Sequence, residues 1–314
     1  MQKRYSRSLR SGPANAEGLN AYGRFLMRVG RLGQAQVMHE QALKTSEERD
    51  AKEGMADAYG SLGLIYRTRG ELGKAEEMLK KALMLHEAAG CKEGVADQYG
   101  RLGLIYRVRG ELNKAEEMHK KALVIEEELG HKEGMADQYG NLGWIYQTRG
   151  ELDEAEEMLK KSLAIEEVLG CREGMASQYG NLGIVYHKRR ELDKAEEMLK
   201  KSLAIEEALG CKEGVARTCA NLGLIYRARK ELDKAEEMLK ESLALNEALG
   251  CKGGIASNYA NLGAICYTRG DSVAANGYWE RALALFKEVG MRLEVQKVQQ
   301  WLDKLSGPKT GEAG

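Results

Sequence analysis

The stretch "YGNLGWIYQTRGELDEAEEMLKKSLAIEEVLGCREGMASQ", residues 139–178, returns almost unchanged as "YGNLGIVYHKRRELDKAEEMLKKSLAIEEALGCKEGVART" at 179–218. Self-similarity at a period of roughly 20–50 residues marks a stacked array, because one short unit cannot bury its own apolar face and must lend it to the next. Units begin near Ala16, Ala56, Ala96, Ala136, Ala176, Ala216 and Ala256, and the first and last copies diverge most.

Within the unit Ala56–Val95, Ala58, Tyr59, Leu62, Ile65 and Tyr66 recur at spacings of three and four, the mark of a helix stripe. Gly70 stops that helix. A second stripe follows in Leu72, Ala75, Met78, Leu79, Ala82, Leu83 and Leu85, closed by Gly90. Each unit therefore reads as a helical hairpin, and the chain as an all-α solenoid of about seven pairs. The outer face of the second helix pairs Glu76 with Lys80 and Glu77 with Lys81, and reads as solvated surface. After the last unit, Val295, Val298, Trp301, Leu302 and Leu305 form one apolar face of a closing helix. The expected organisation is a basic arm at 1–15, a solenoid at 16–293, a capping helix at 294–306 and a loose tail at 307–314.

Composition narrows the function. With 43% hydrophobic residues the chain is too apolar to stay disordered. Its 48 Lys+Arg balance its 48 Asp+Glu, so no net field draws it to nucleic acid or to an anionic membrane surface. No apolar run reaches the roughly 18 residues of a membrane span, and a cytoplasmic protein is expected. Cys91, Cys171, Cys211 and Cys251 share one repeat slot with His131. Helix packing about 8–10 Å apart keeps neighbouring copies of that slot beyond disulfide reach and beyond one zinc ion, so separate thiols making small apolar contacts are expected, with no metal. His39, His86, His119, His131 and His187 stand singly, and no Walker loop or Cys-x-x-Cys accompanies them. Neither catalysis nor a cofactor is expected.

The motif Asn141, Leu142, Gly143, Tyr146, Gly150 and Ala155, with Ala75, Ala82 and Leu83 in the second helix of an earlier copy, resembles the tetratricopeptide repeat. The likeness spans about 16–295. Its 40-residue unit, longer at "ALGCKEG" than the ordinary family unit, is similar to those of Pins/LGN-type scaffolds and, less closely, of kinesin light chain. This resemblance implies a right-handed superhelix whose first helices line a concave groove for peptides or protein segments. It also implies that a chaperone-type C-terminal tail is not the ligand, because Gly60 and Leu64 fill positions where tail-gripping members carry Lys and Asn.

On the groove side of the first helices one slot reads Leu64, Leu104, Trp144, Ile184, Leu224 and Ala264. Large apolar residues there form either a binding stripe or contacts to the neighbouring repeat. A second slot carries Asn141, Asn181, Asn221 and Asn261, amides that pair with an extended ligand's backbone or with their own helix. Arg101, four residues after Asp97, reads as an intrahelical pair. Gly60, Gly100, Gly140 and Gly180 require a close neighbour, helix or ligand. Arg67, Arg69, Arg107, Arg109 and Arg227 lie at the groove edge, where they serve the helix dipole or an acidic, partly apolar partner. The expected function is a noncatalytic interaction scaffold. Alternatives are a kinesin-light-chain-like accessory on a bacterial cytoskeletal polymer and a peptide-sensing regulator.

Overall fold

Left-handed glycines set the helix ends, and they leave almost no loop. Gly90, Gly130, Gly210 and Gly250 take φ of 67–69°. The next amide then turns back, with Cys91 N–H donating to the His86 carbonyl at 3.0 Å and Cys211 N–H to that of Glu206 at 2.9 Å. These bonds satisfy carbonyls that the last helical turn would leave open. Two residues suffice to connect helices, and the following first helix starts at once.

The computed structural model describes residues 15–306; of the arm expected at 1–15 only Asn15, which caps the first helix, lies among them, and the tail at 307–314 lies outside them. The helices are α1 (Ala16–Arg28), α2 (Leu32–Glu47), α3 (Lys52–Thr68), α4 (Leu72–Ala89), α5 (Lys92–Val108), α6 (Leu112–Leu129), α7 (Lys132–Arg149), α8 (Leu152–Leu169), α9 (Arg172–Lys188), α10 (Leu192–Leu209), α11 (Lys212–Ala228), α12 (Leu232–Leu249), α13 (Lys252–Thr268), α14 (Ser272–Glu288) and α15 (Arg292–Ser306). No strand occurs among the described residues. The chain divides into a first unit, residues 1–151, and a second, 152–314. From the second repeat onward the first helices begin four residues before the expected Ala positions. The extra residues of the 40-residue unit thus lengthen both helices and build no loop. Cys91, Cys171, Cys211 and Cys251 stand just before first helices as free thiols. Cys211 and Cys251 are exposed, so the small apolar contact expected of this slot is not general.

Inside each hairpin the glycine of the "LG" pair admits the second helix. A Cβ on Gly63 would lie 2.7 Å from Leu79 Cδ2, and one on Gly223 2.8 Å from Leu239 Cγ. Ala75, Ala82 and Leu79 are fully buried there, as are Ala235 and Leu239 in the second unit. Two copies replace the leucine with a buried histidine, His39 and His119. Their Nδ1 atoms meet Asn20 Oδ1 at 2.9 Å and Gln138 Oε1 at 2.8 Å. Both histidines serve packing, and burial lowers each pKa to about 4, with Arg24 adding to the effect at His39. At His119 the Gln138 hydrogen bond opposes the shift and Arg107 adds to it.

Between hairpins the lock is polar. Glu76 accepts from the Tyr106 hydroxyl at 2.8 Å and from Arg109 Nη1 at 2.5 Å on the next first helix, while Lys80 pairs with it at 2.7 Å. Glu116 repeats this with Tyr146, Arg149 and Lys120. In the second unit Glu156 joins Tyr186 and Arg189, and Glu196 joins Tyr226 and Arg229. Burial raises the carboxyl pKa of Glu76, but hydrogen bonds from Lys80, Tyr106 and Arg109 outweigh it and hold the group at about 2. The Glu76–Lys80 pair is therefore a corrected expectation: its carboxylate is an inter-repeat clamp, whereas Glu77–Lys81 remains surface. Gly60 and Gly100 are also explained by the neighbouring repeat. Their Cβ positions lie 3.3 Å from amide atoms of Gln98 and Gln138, so a side chain fills the space and no helix backbone does.

Acid should act in two windows. An unfolded histidine binds its proton near pH 6.5 and His39 or His119 only near 4, so the unfolded state holds more protons between these values and stability falls as pH drops through them. The loss amounts to roughly 3 kcal/mol per histidine. His39→Leu/His119→Leu, which installs the residue of the sister copies, is expected to flatten the dependence of Tm on pH between 6.5 and 4. Both chains should still lose stability below about pH 4.5 as the clamp carboxylates protonate. An equally steep decline in the variant between 6.5 and 4 would refute the assignment.

Lys230 takes φ of 65° in a slot filled by Gly70, Gly110, Gly150 and Gly270 elsewhere. A side chain in that conformation costs about 1 kcal/mol. Lys230→Gly is accordingly expected to raise the urea midpoint by an equivalent amount, and an unchanged midpoint would argue against strain there.

Candidate functional site

Two residues along a helix turn its side chains by about 200°. The pairs Arg67/Arg69, Arg107/Arg109 and Arg227/Arg229 therefore point to opposite sides of their helices. The second member of each pair turns to the preceding hairpin. Arg109 and Arg229 enter the Glu76 and Glu196 clamps, and Arg69 donates to Gln36 Oε1 at 2.5 Å. Arg69 and Arg109, expected at the groove edge, are thus committed to the stack. The first members remain on the open face, and none has a carboxylate within ion-pair distance among the described residues. Burial lowers the pKa of Arg67, Arg107 and Arg227, with neighbouring Arg101 adding to the effect at Arg67 and Arg67 at Arg107.

In the first unit Arg107 Nη1 donates to Asn141 Oδ1 at 3.0 Å, and its guanidinium sits 4.9 Å from the centre of the Trp144 ring. Asn141 also donates to the Asp137 carbonyl at 2.8 Å. Leu64, Leu104 and Trp144 are half-buried, and Trp144 rests partly on the core that includes Leu102, Tyr106 and Ile145. The slot is thus neither fully packed nor fully open: part of each side chain is covered and part faces out. Arg101 pairs with Asp97 at 2.7 Å, as its spacing suggests, and also donates to the Gly60 carbonyl at 3.2 Å. A cavity of about 920 Å³ opens here, walled by Arg24, Asp57, Leu64, Asp97, Gln98 and Arg101. Gln98 is buried, and its Oε1 finds no partner.

In the second unit the asparagines differ from one another. Asn261 accepts from Arg227 at 3.1 Å and donates to the Ser257 carbonyl at 3.0 Å, so both ends of its amide are engaged. Asn181 and Asn221 have no hydrogen bond among the described residues and are half-exposed beside Ile184 and Leu224. A second cavity, about 530 Å³, lies at the end of this unit between Arg227, Tyr267, Trp279, Trp301, Lys297 and Lys304. Sequence reading treated Trp301 as part of a cap and passed over Tyr267 and Trp279. The available signal was composition, since Trp144, Trp279 and Trp301 are the only tryptophans and all border these faces.

No group of His, Cys, Asp or Glu placed to hold a metal occurs among the described residues. No helix among them is long and apolar enough to cross a membrane.

Comparison with known proteins agrees with this geometry. No curated protein matches the chain. Among solved structures, the apo form of RapI superposes with a TM-score of 0.74 at 16% identity, covering 88% of this chain and 99% of that one. A signal transduction ATPase with a tetratricopeptide repeat sensor from Pyrococcus horikoshii gives 0.75 at 18%, covering 95% of this chain and 46% of that one. BtubC from P. vanneervenii gives 0.57 at 22%, covering 71% and 91%. These likenesses show the fold. The family described as MalT-like TPR region matches residues 20–201, and the tetratricopeptide repeat matches 174–248 and 216–288. Repeat motif, helical hairpins and family match together place the chain in the tetratricopeptide-repeat family, whose members mediate protein–protein interactions and are generally noncatalytic scaffolds.

Proposed function

We propose that this chain is a noncatalytic interaction module that takes an extended or helical protein segment along the open face of its first helices. The observation that carries the reading is the contrast within the Arg-x-Arg pairs. Arg109 and Arg229 are paired with acids of the preceding hairpin and Arg69 with Gln36, while Arg67, Arg107 and Arg227 are partly desolvated without a counter-charge, Arg107 and Arg227 meeting only the neutral amides of Asn141 and Asn261. A cation kept in that state is poised for an incoming carboxylate, which recovers part of the desolvation cost on binding. The half-buried Leu64, Leu104, Trp144, Ile184 and Leu224 supply apolar contact beside these cations, and the free amides of Asn181 and Asn221 suit main-chain pairing. The preferred partner is acidic and partly apolar. A Rap protein complexed with competence and sporulation factor shares the fold at a TM-score of 0.66 and 14% identity, which favours a peptide-sensing regulator as the second reading of the same face.

Peptides selected on the intact chain from a random displayed library should be enriched in acidic and apolar residues. The triple variant Trp144→Ala/Asn181→Ala/Asn221→Ala is expected to weaken their binding at least tenfold with helicity unchanged. Asn141→Ala, by contrast, should lower thermal stability, because that amide is part of the stack. Full retention of affinity by the triple variant would remove the open face from consideration. Cosedimentation with a cytoskeletal polymer that survives the same three changes would move the function to another surface.

A further inference from the structure

The repeats are so alike that a departure from them is informative. The chain at the ends of the first helices reads "YRTRG" at 66–70, "YRVRG" at 106–110 and "YQTRG" at 146–150, but "YHKRR" at 186–190. The last turn of α9 therefore carries both His187 and Lys188, where the first helices of the other repeats carry one basic residue or none. Arg190 then stands in the slot of Gly70, Gly110, Gly150 and Gly270 and takes their left-handed conformation, at φ of 66°. Glycine adopts that conformation freely and an arginine does not. Keeping a strained arginine where sister copies hold glycine points to a use for its side chain. Lys230 shares the conformation but does not line the cavity that Arg190 borders.

That cavity, of about 430 Å³, is walled by His187, Lys188 and Arg190 together with Leu224, Arg227 and Ala228 of α11. Four bases line it and no carboxylate does. Arg227 Nη1 donates to Asn261 Oδ1 at 3.1 Å, which fixes the guanidinium, and neither Arg190 nor Arg227 makes an ion pair among the described residues. Burial pushes the pKa of His187 down, and the charges of Arg190 and Arg227 add to the effect, so these three groups lie near enough to repel one another. Cations in a last turn serve the helix dipole, and one per helix end meets that need in the sister copies. Four around one space, with no acid to offset them, are an excess that the fold does not use.

We propose that this cavity binds a small phosphorylated molecule, with the phosphate seated among His187, Lys188, Arg190 and Arg227. A carboxylate brings one charge and two oxygens, whereas a phosphate monoester carries about −1.5 to −2 charges at pH 7 and three terminal oxygens. Two guanidinium forks, an ammonium and an imidazole supply donors for all three oxygens. The dianion also offsets the repulsion among the bases, which contributes to its affinity. Leu224 and Ala228 offer apolar surface to the organic part of the ligand, and the volume lies within the range of about 300–1,000 Å³ usual for small-molecule sites. Arg227 belongs to the open face as well, but the ligand is of a different class and the site stands or falls without the segment-binding reading.

The full chain is titrated by calorimetry with inorganic pyrophosphate and, at matched ionic strength, with citrate. Pyrophosphate is expected to bind one to one and at least tenfold more tightly than citrate. Arg190→Gly should weaken pyrophosphate binding at least tenfold while raising the urea midpoint, because glycine relieves the strain. A loss of binding joined to a gain of stability separates a ligand contact from damage to the fold. Arg227→Gln should weaken binding comparably. Lys81→Gln, which removes one charge from the surface pair with Glu77, is expected to leave it unchanged. Absence of saturable binding, equal affinity for citrate, or full binding by Arg190→Gly overturns the proposal. So does a phosphoserine peptide that binds this cavity in a chain indifferent to pyrophosphate, since the site would then belong to protein recognition.

Discussion

One carboxylate in each inner repeat, shared between two hairpins, is the interaction on which the rest of the arrangement depends. Apolar packing through the "LG" glycine brings two helices together, but the hydrophobic force behind it is non-directional. The Glu76-type clamp is not, because a tyrosine hydroxyl and an arginine must both reach the same two oxygens. Hydrogen bonds to a partly buried carboxylate are worth about 1.5–3 kcal/mol each. Repeated as Glu116, Glu156 and Glu196, they set how each first helix is rotated against the hairpin before it. That rotation decides which residues the open face presents.

The clamp explains why arginines two residues apart have different roles. With the second of each pair drawn toward the preceding hairpin, the first is carried to the far side of its helix. There it meets no acid, and the asparagine of the next repeat becomes its neighbour at Arg107 and at Arg227. The asparagine slot is thereby divided. Where an arginine precedes it by 34 residues, as for Asn141 and Asn261, the amide belongs to the stack. His187 stands in that place before Asn221, which keeps its amide free. The last repeat departs further. Cys266 replaces the clamp tyrosine, Glu236 keeps its arginine and lysine, and aromatic residues crowd between α13, α14 and α15. Relaxed polar locking and a change of packing residue, Trp279 for leucine, coincide with the aromatic cavity.

Much of this was open to sequence reading, and the parts that were not have a common cause. The hairpins were legible because period 3.6 and glycine stops are local signals, encoded within one or two turns. The thiols of the shared cysteine slot were legible as separate from the spacing of repeats. The Glu76–Lys80 pair misled because its local partner is four residues away, whereas its decisive partners are 30 and 33 residues away. Arg69 and Arg109 were indistinguishable from Arg67 and Arg107 for the same reason.

The sequence by itself determined the helices, their ends, the glycine seats and the slots from which a recognition face is drawn, since each depends on dihedral preference and apolar spacing within a short stretch. Only tertiary structure decided which of two neighbouring arginines is neutralised, which asparagine amides stay free and where cations gather around aromatic rings. Those outcomes depend on the rotation of one helix against another. Side-chain electrostatics are fixed by atoms a few ångströms apart in space, and in a stacked repeat those atoms come from residues some thirty positions away along the chain.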